Sequence, residues 1–440
     1  MSQASDRDQR GRYRLAAWAA GWLSFTVVLF SYAQSLSPTI NFGFSGFMVA
    51  AADNLGIANP PGYPIWVIAG WLWIKAAAWM GMTEPHHPAL AMNFLSAFCG
   101  AASAGMIAWL IPVTAGRIFR GKVSPGIAAV SAITAALLYA WGGIAWSQSV
   151  IADVHTMNTA ILLFMLITAA HWLETPDAAR ARCLYCSAFF FGCLVANSRF
   201  GFLFAPAMLL LPALGSWRGA RDLALFALLA AGVAATGLYS PFTPPFPWLI
   251  SGVGGLMLLY LARQTTHGRT LLQTLGWFAL GLSWMLFPIL ASTLGTTVQW
   301  VVATDPQGYL HLVTQGQYER ISPIANLYAV LHQPERLLML AQSFGKMLDW
   351  QYLWPFWCVA GFGWLMAALR GRDWRWQVFL TLILLLSGPV FLILIHRPRN
   401  DLQTLAFSRV YYLPFSAVLA LLIGYGFAAL LSLRSLWSKP

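Results

Sequence analysis

The chain has 440 residues, of which 59% are hydrophobic and 9% charged, and its mean hydropathy is +0.64. This composition excludes a water-soluble globular protein and predicts an all-α polytopic membrane protein. The net charge of +12 does not indicate nucleic-acid binding, because Lys and Arg of membrane proteins collect in cytoplasmic loops. The lipid bilayer is therefore the expected partner, and nucleic acid is not.

Apolar runs divide the whole chain into about 12 predicted transmembrane helices, within a single membrane domain of residues 1–440. Apolar stretches of about 20 residues are long enough to cross a bilayer as helices. The predicted spans cover residues 14–34, 89–113, 125–145, 156–173, 183–198, 200–214, 222–240, 247–262, 270–293, 353–369, 377–395 and 410–432.

The segment 62–81 is apolar enough to span, but it carries Lys75 and follows the break Pro60-Pro61. If it does not cross, most of the 26 basic residues fall in connections on one side, as the positive-inside rule requires. We therefore predict that 62–81 lies on the outer interface, that both termini are cytoplasmic, and that 35–88 and 294–352 are long outer loops with interfacial helices.

Three polar clusters then gather on the outer face. The first runs from Trp146 to Asn158 and holds Asp153 and His155 between two apolar spans. A carboxylate and an imidazole there suit a general base or substrate hydrogen bonds. The alternative is a helix N-cap, in which Asp153 or Thr156 accepts main-chain hydrogen bonds at the start of the next span.

The second cluster is Asn197-Ser198-Arg199, between two short spans. The third comprises His396 to Asp401, with Arg397 and Arg399, and the start of the last span at Arg409 and Tyr411. Guanidinium groups outside the membrane run against the charge bias and are suited to phosphate. Snorkelling of Arg199 and unspecific contacts with lipid headgroups are the alternatives.

Five short sequence blocks, in chain order, resemble the signatures of a known family. They are Ser45 to Pro64 (with Leu55-Gly56-Ile57 and Pro60-Pro61-Gly62-Tyr63-Pro64), Trp146 to Asn158, Asn197 to Arg199, His311 to Tyr318 (with Gln317), and Ser408 to Pro414. They resemble the signatures of a bacterial multipass family related to the transmembrane protein O-mannosyltransferases, within the GT-C glycosyltransferase superfamily.

The resemblance implies a GT-C-like fold and a polyprenyl-phosphate sugar donor at the outer membrane boundary. An acid of the first outer loop would deprotonate the acceptor, the sugar would transfer with inversion, and outward Arg would neutralise the leaving phosphate. It adds Asn59, Asn197, Gln317, Tyr318 and Tyr411 to the candidate substrate-binding residues.

The chain departs from the family pattern in the first loop. The family's Asp and Glu fall at Phe44 and Phe47, and its His falls at Asn59. Asp53 lies nine residues after Phe44, about 180° around a helix, and could replace the acid only if the helix is broken or turned. Asp153 is therefore the better candidate base.

Three functions remain open from the sequence. The first is a membrane glycosyltransferase moving a sugar from polyprenyl phosphate to a hydroxyl of a protein or glycan acceptor. The second is a non-catalytic relative that binds a lipid phosphate or a partner enzyme, and the third is a lipid flippase or transporter. We expect no cofactor and no metal, and a location in the bacterial inner membrane with the active face periplasmic or extracellular.

Overall fold

The computed structural model describes residues 3–41, 43–82, 87–174, 181–215, 263, 266–314, 323–395 and 408–437. Within these ranges every regular element is a helix, apart from one isolated parallel bridge between Ile57 and Gln299. The prediction of an all-α protein is confirmed.

The α-helices are numbered in chain order. They are α1 (Gln3–Gln34), α2 (Ser45–Asp53), α3 (Pro64–Trp79), α4 (Pro88–Ile118), α5 (Pro125–Trp141), α6 (Gly143–Ser149), α7 (Val154–Glu174), α8 (Ala181–Asn197), α9 (Ala205–Gly215), α10 (Thr266–Leu282), α11 (Phe287–Thr293), α12 (Pro306–Val313), α13 (Pro323–His332), α14 (Pro334–Gln351), α15 (Trp354–Arg370), α16 (Trp374–Leu385), α17 (Phe391–Ile395), α18 (Leu413–Leu431) and α19 (Leu433–Trp437). Short 3-10 turns at Arg199–Phe204 and Arg409–Tyr412 lead into α9 and α18.

Proline sets the beginning of many of these helices. Pro64, Pro88, Pro125, Pro306 and Pro334 each occupy the first helical position. The first N–H groups of a helix have no internal partner, so a residue that lacks one costs nothing there. Asp305 caps α12, because its carboxylate accepts hydrogen bonds from Gln307 N at 2.8 Å and Gly308 N at 2.9 Å.

Six continuous helical segments of the described residues are long and apolar enough to cross a membrane. They cover Asp8–Gln34, Pro88–Ile118, Val154–Glu174, Gly268–Thr293, Trp374–Leu394 and Arg409–Leu431. Two bent pairs, α5 with α6 and α14 with α15, raise the number to at most 8. The predicted count of about 12 is therefore not confirmed, and the predicted spans 222–240 and 247–262 lie outside the described residues.

Glycine permits the closest crossings of the bundle. A Cβ atom on Gly363 of α15 would overlap the carbonyl oxygen of Leu422, and one on Gly426 of α18 would overlap that of Val359. Gly192 of α8 and Gly281 of α10 approach each other in the same way. Small residues at crossings let the helix backbones approach closely, which is how helices associate in a bilayer.

At the break between α5 and α6, one side chain from a distant helix makes hydrogen bonds with the main-chain groups that the break leaves unpaired. The two helices meet at Gly142 with a bend of 66°. Buried Gln351, the last residue of α14, accepts a hydrogen bond from Ala145 N at 3.0 Å and donates one to Tyr139 O at 2.7 Å. Broken helices are tolerated in membranes where other groups satisfy the main chain in this way.

At the predicted cytoplasmic end of the helix bundle, a partly buried ion pair connects α4, α7 and α16. Arg117 of α4 lies 3.1 Å from the carboxylate of Asp373 and donates to Ala170 O of α7 at 2.7 Å. Asp373 also caps α16 through Trp376 N at 3.3 Å. The partly buried cation and carboxylate compensate each other, as buried charges must.

Helix α3, which covers most of the ambiguous segment 62–81, contacts the ends of other helices. Its Trp66 N–H donates to Asn197 Oδ1, at the last residue of α8, at 3.0 Å. Its Trp73 Nε1–H donates to Ala91 O, in the first turn of α4, at 2.9 Å. This arrangement is expected of a helix lying across the ends of spans, and its placement on the outer interface stays a prediction.

Candidate functional site

Asp153 and His155 form a close pair at the start of α7. Asp153 Oδ1 accepts a hydrogen bond from His155 N at 2.7 Å and lies 2.8 Å from His155 Nδ1. One carboxylate oxygen thus caps the helix and orients the imidazole at once. The cap that the sequence offered as an alternative is therefore present, and the role of Asp153 and His155 as a base stays a prediction.

Ser96 of α4 fixes the main chain of Asp153 from the opposite side. Its hydroxyl accepts from Asp153 N at 3.0 Å and donates to Asp153 O at 3.3 Å. One turn earlier, Asn93 donates to Ser37 O at 2.7 Å and to Thr39 O at 3.0 Å. The same face of α4 therefore holds both Asp153 and the beginning of the first predicted outer loop.

A small cavity of about 30 Å³ lies beside this pair. His155 and Asn158 of α7 line it together with Phe200, Phe391 and Tyr411. The Tyr411 ring packs edge-on against His155 at 5.1 Å and against Phe200 at 4.7 Å between centroids. Asp153 does not line the cavity, whereas His155 does, so the imidazole is the member of the pair nearest a ligand there.

Two of the predicted binding residues are enclosed in the protein. Asn197 is fully buried, accepts from Trp66 N, and donates through Nδ2 to Asn158 Oδ1 at 2.8 Å. Asn59 is 5% exposed, and its Oδ1 makes no hydrogen bond with a described residue. Asn197 thereby ties α3, α7 and α8 together behind the cavity.

The two described candidate arginines differ in their surroundings. Arg199 is exposed and donates to Thr314 O, at the end of α12, at 2.9 Å. Arg409 is partly buried, its guanidinium lies 5.0 Å from the Trp350 ring centroid, and its Nε makes no hydrogen bond with a described residue. The predicted candidates Gln317, Tyr318, Arg397 and Arg399 lie outside the described residues.

Asp53 is at a different place from Asp153. It ends α2, and its carboxylate lies 3.9 Å from Lys75 Nζ of α3. None of its described contacts involves Asp153, His155 or the cavity. The structure therefore brings His155, Asp153 and Tyr411 together and leaves Asp53 in a separate, partly exposed ion pair.

Phe44 and Phe47, at the positions where the resembling family is acidic, contact Trp300. The ring centroids are 6.1 Å and 4.8 Å from Trp300, both in edge-to-face orientation. Sequence reasoning missed Trp300, and it missed Ser96 as the anchor of Asp153. Neither carries a local signal, because both act through contacts with distant parts of the chain.

Comparison with known proteins supports the resemblance for part of the chain. Residues 45–219 match the family described as the protein O-mannosyl-transferase TMEM260 N-terminal domain. The mouse protein O-mannosyl-transferase TMEM260 is 25% identical over 186 residues, which is 41% of this chain and 24% of the mouse protein. The aligned segment thus spans about a quarter of that relative, and the chain is related to the protein O-mannosyltransferases through this segment.

Proposed function

We propose that this relative of the protein O-mannosyltransferases is a membrane glycosyltransferase that moves a sugar from a polyprenyl-phosphate donor to a protein or glycan hydroxyl. The observation that carries the proposal is the Asp153–His155 pair beside the cavity, in a segment that matches the O-mannosyltransferase family. The sugar lies at the outer membrane boundary, with both termini cytoplasmic and the reaction on the periplasmic or extracellular side.

The reaction is a displacement at the anomeric carbon. The acceptor hydroxyl gives its proton to a base and its oxygen bonds to the anomeric carbon. The bond from that carbon to the phosphate oxygen breaks, and the lipid phosphate leaves with the electron pair. Inversion at the anomeric carbon follows from attack opposite the leaving group. The protein must supply a base and a positive charge near the phosphate.

His155 and Asp153 act together as the base in this proposal. Nδ1 of His155 is engaged by Asp153, so Nε2 is the nitrogen that takes the acceptor proton. The adjacent carboxylate then stabilises the imidazolium, as an orienting acid does in other paired sites. Asp53 is the weaker candidate, since Lys75 already lies beside its carboxylate.

Arg409 supplies the positive charge. Among the described residues it makes no ion pair with a carboxylate, and its buried Nε has no described hydrogen-bond partner. A partly desolvated cation of this kind is stabilised by an anion, and it lies two residues before Tyr411 of the cavity wall. We include Arg199, Arg397 and Arg399 as further phosphate ligands.

A non-catalytic relative that binds lipid phosphate is the second candidate. One observation favours it, because Phe44 and Phe47 pack against Trp300 where the resembling family has acids. Phenylalanine accepts no proton, so the chain transfers sugar only if the acid–base chemistry has moved to Asp153 and His155.

The test is transfer from radiolabelled mannosyl polyprenyl phosphate to cell-envelope proteins by the full chain in nanodiscs. We expect Asp153→Asn and His155→Gln each to lower the rate by about 10²- to 10⁴-fold, the usual contribution of a general base. Asp53→Asn is the matched control and should leave the rate nearly unchanged. Donor binding without any wild-type transfer would instead establish the non-catalytic relative.

A further inference from the structure

Phe44, Phe47 and Trp300 form a partly exposed aromatic surface, here called the aromatic platform. Trp300 is 37% exposed and Phe44 is 49% exposed, while Phe47 is half-buried beneath Trp300. The Phe47 and Trp300 rings are nearly perpendicular, at 89°. Such edge-to-face packing fixes the orientation of Trp300 while part of its surface stays accessible.

The main chain holds the platform in one conformation. Ile57 N donates to Val298 O at 2.8 Å, and Trp300 N donates to Ile57 O at 3.1 Å. Glycine is required next to this pairing, because a Cβ atom on Gly56 would overlap the Val298 carbonyl oxygen. The segment that carries Trp300 is thus pinned to the first predicted outer loop, and the rings are arranged before any ligand binds.

The main chain around the platform excludes a position among lipid tails. Residues 298–304 around Trp300 are not helical. Exposed irregular main chain is excluded from the hydrocarbon region, where its polar groups would have no partners. The exposed rings therefore lie at or beyond the membrane–water interface rather than among lipid tails.

The chain segments that carry the three rings hold no charged side chain. No Asp, Glu, Lys, Arg or His occurs in residues 35–52 or 270–304, and the first charged residues after them are Asp53, which is paired with Lys75, and Asp305, which caps α12. Exposed Asn54 and Thr297, close in sequence to the rings, approach each other at 3.4 Å. Aromatic faces attract the weakly positive C–H groups of a sugar ring, and neighbouring amides and hydroxyls bond its hydroxyls. A neutral sugar fits this surface, whereas a phosphate does not.

We infer that the aromatic platform is a binding subsite for a neutral pyranose ring. The inference rests on the proposed function in one respect, that the sugar is a unit of the donor or of a glycan acceptor. Asn93 and Ser96 hold the first outer loop and Asp153 on one face of α4, so the platform belongs to the same end of the bundle as the cavity.

The test is saturation-transfer-difference NMR of the full chain in phosphatidylcholine nanodiscs, with methyl α-mannoside as probe and no sugar-based detergent. We expect ring-proton signals that fall about five-fold in Trp300→Ala and in Phe44→Ala, the loss of one stacking contact. Trp300→Phe should retain most of the signal. Trp79→Ala is the matched control, because Trp79 is 88% exposed on α3 and makes no described ring contact.

An unchanged signal in Trp300→Ala would overturn the inference. Failure here is separable from failure of the proposed function. Wild-type transfer with a mannoside signal independent of Trp300 would refute the platform alone. A Trp300-dependent signal without transfer would refute the enzyme and keep the subsite.

Discussion

Gln351 is the side chain on which the bent segment α5–α6 depends most. It satisfies Ala145 N and Tyr139 O, and both groups are buried. Gly142 leaves room for it, since a Cβ atom there would overlap the Gln351 amide. A side chain that accepts and donates at the same break cannot be replaced by an apolar or a purely accepting one.

We therefore expect Gln351→Ala to lower the free energy of unfolding by about 2–4 kcal/mol, because two buried main-chain groups lose their partners. Gln351→Glu should destabilise at least as much, since it donates nothing to Tyr139 O and would bury a carboxylate facing that carbonyl oxygen. Gln342→Ala, on an exposed position of the same helix, is the control. Thermal unfolding in detergent measures the difference, and equal stability of the Gln351 and Gln342 variants would contradict the role.

At the scale of elements, α15 and α18 cross where Gly363 meets Gly426. The crossing has no room for a methyl group, whereas Gly361 of the same helix has no heavy atom within 4 Å of its hypothetical Cβ. Substitution by alanine should therefore change the stability of the protein in opposite directions at Gly363 and Gly361.

Gly363→Ala should destabilise the protein by about 1–3 kcal/mol, because the methyl group forces the helices apart. Gly361→Ala should be neutral or stabilise by up to about 1 kcal/mol, because alanine favours a helix over glycine. The readout is the shift in apparent melting temperature of each variant. A shift of the melting temperature in the same direction for both variants would contradict the tight crossing of α15 and α18.

For the whole molecule, the topology decides whether the cavity and the platform share one side of the membrane. We expect Lys75→Cys, on α3, to react with a membrane-impermeant maleimide added outside intact cells. Arg372→Cys, between α15 and α16, should react only in inverted vesicles, because basic connections stay inside. Both variants are made in a background with the 5 native cysteines replaced. Protection of position 75 from outside would place α3 on the cytoplasmic side or through the bilayer.

Several elements follow from local sequence. The proline-marked starts of α4 and α5 and the apolar run of α18 were predicted within a few residues, because helix signals act over one or two turns. The span count was not confirmed, partly because α8 and the segment Arg199–Gly215 are shorter than a full crossing. The bend of 98° between α14 and α15 carries no local signal that distinguishes it from a loop.

The sequence by itself determined that this is a helical membrane protein related to O-mannosyltransferases, and it marked Asp153, His155 and Tyr411. Composition and short sequence signatures can be recognised without knowing how the helices pack. Only the tertiary structure decided that His155 rather than Asp153 lines the cavity, that Asp53 pairs with Lys75, and that Trp300 covers Phe47. These facts depend on contacts between segments such as Ala145 and Gln351, 206 residues apart, which helix packing brings together.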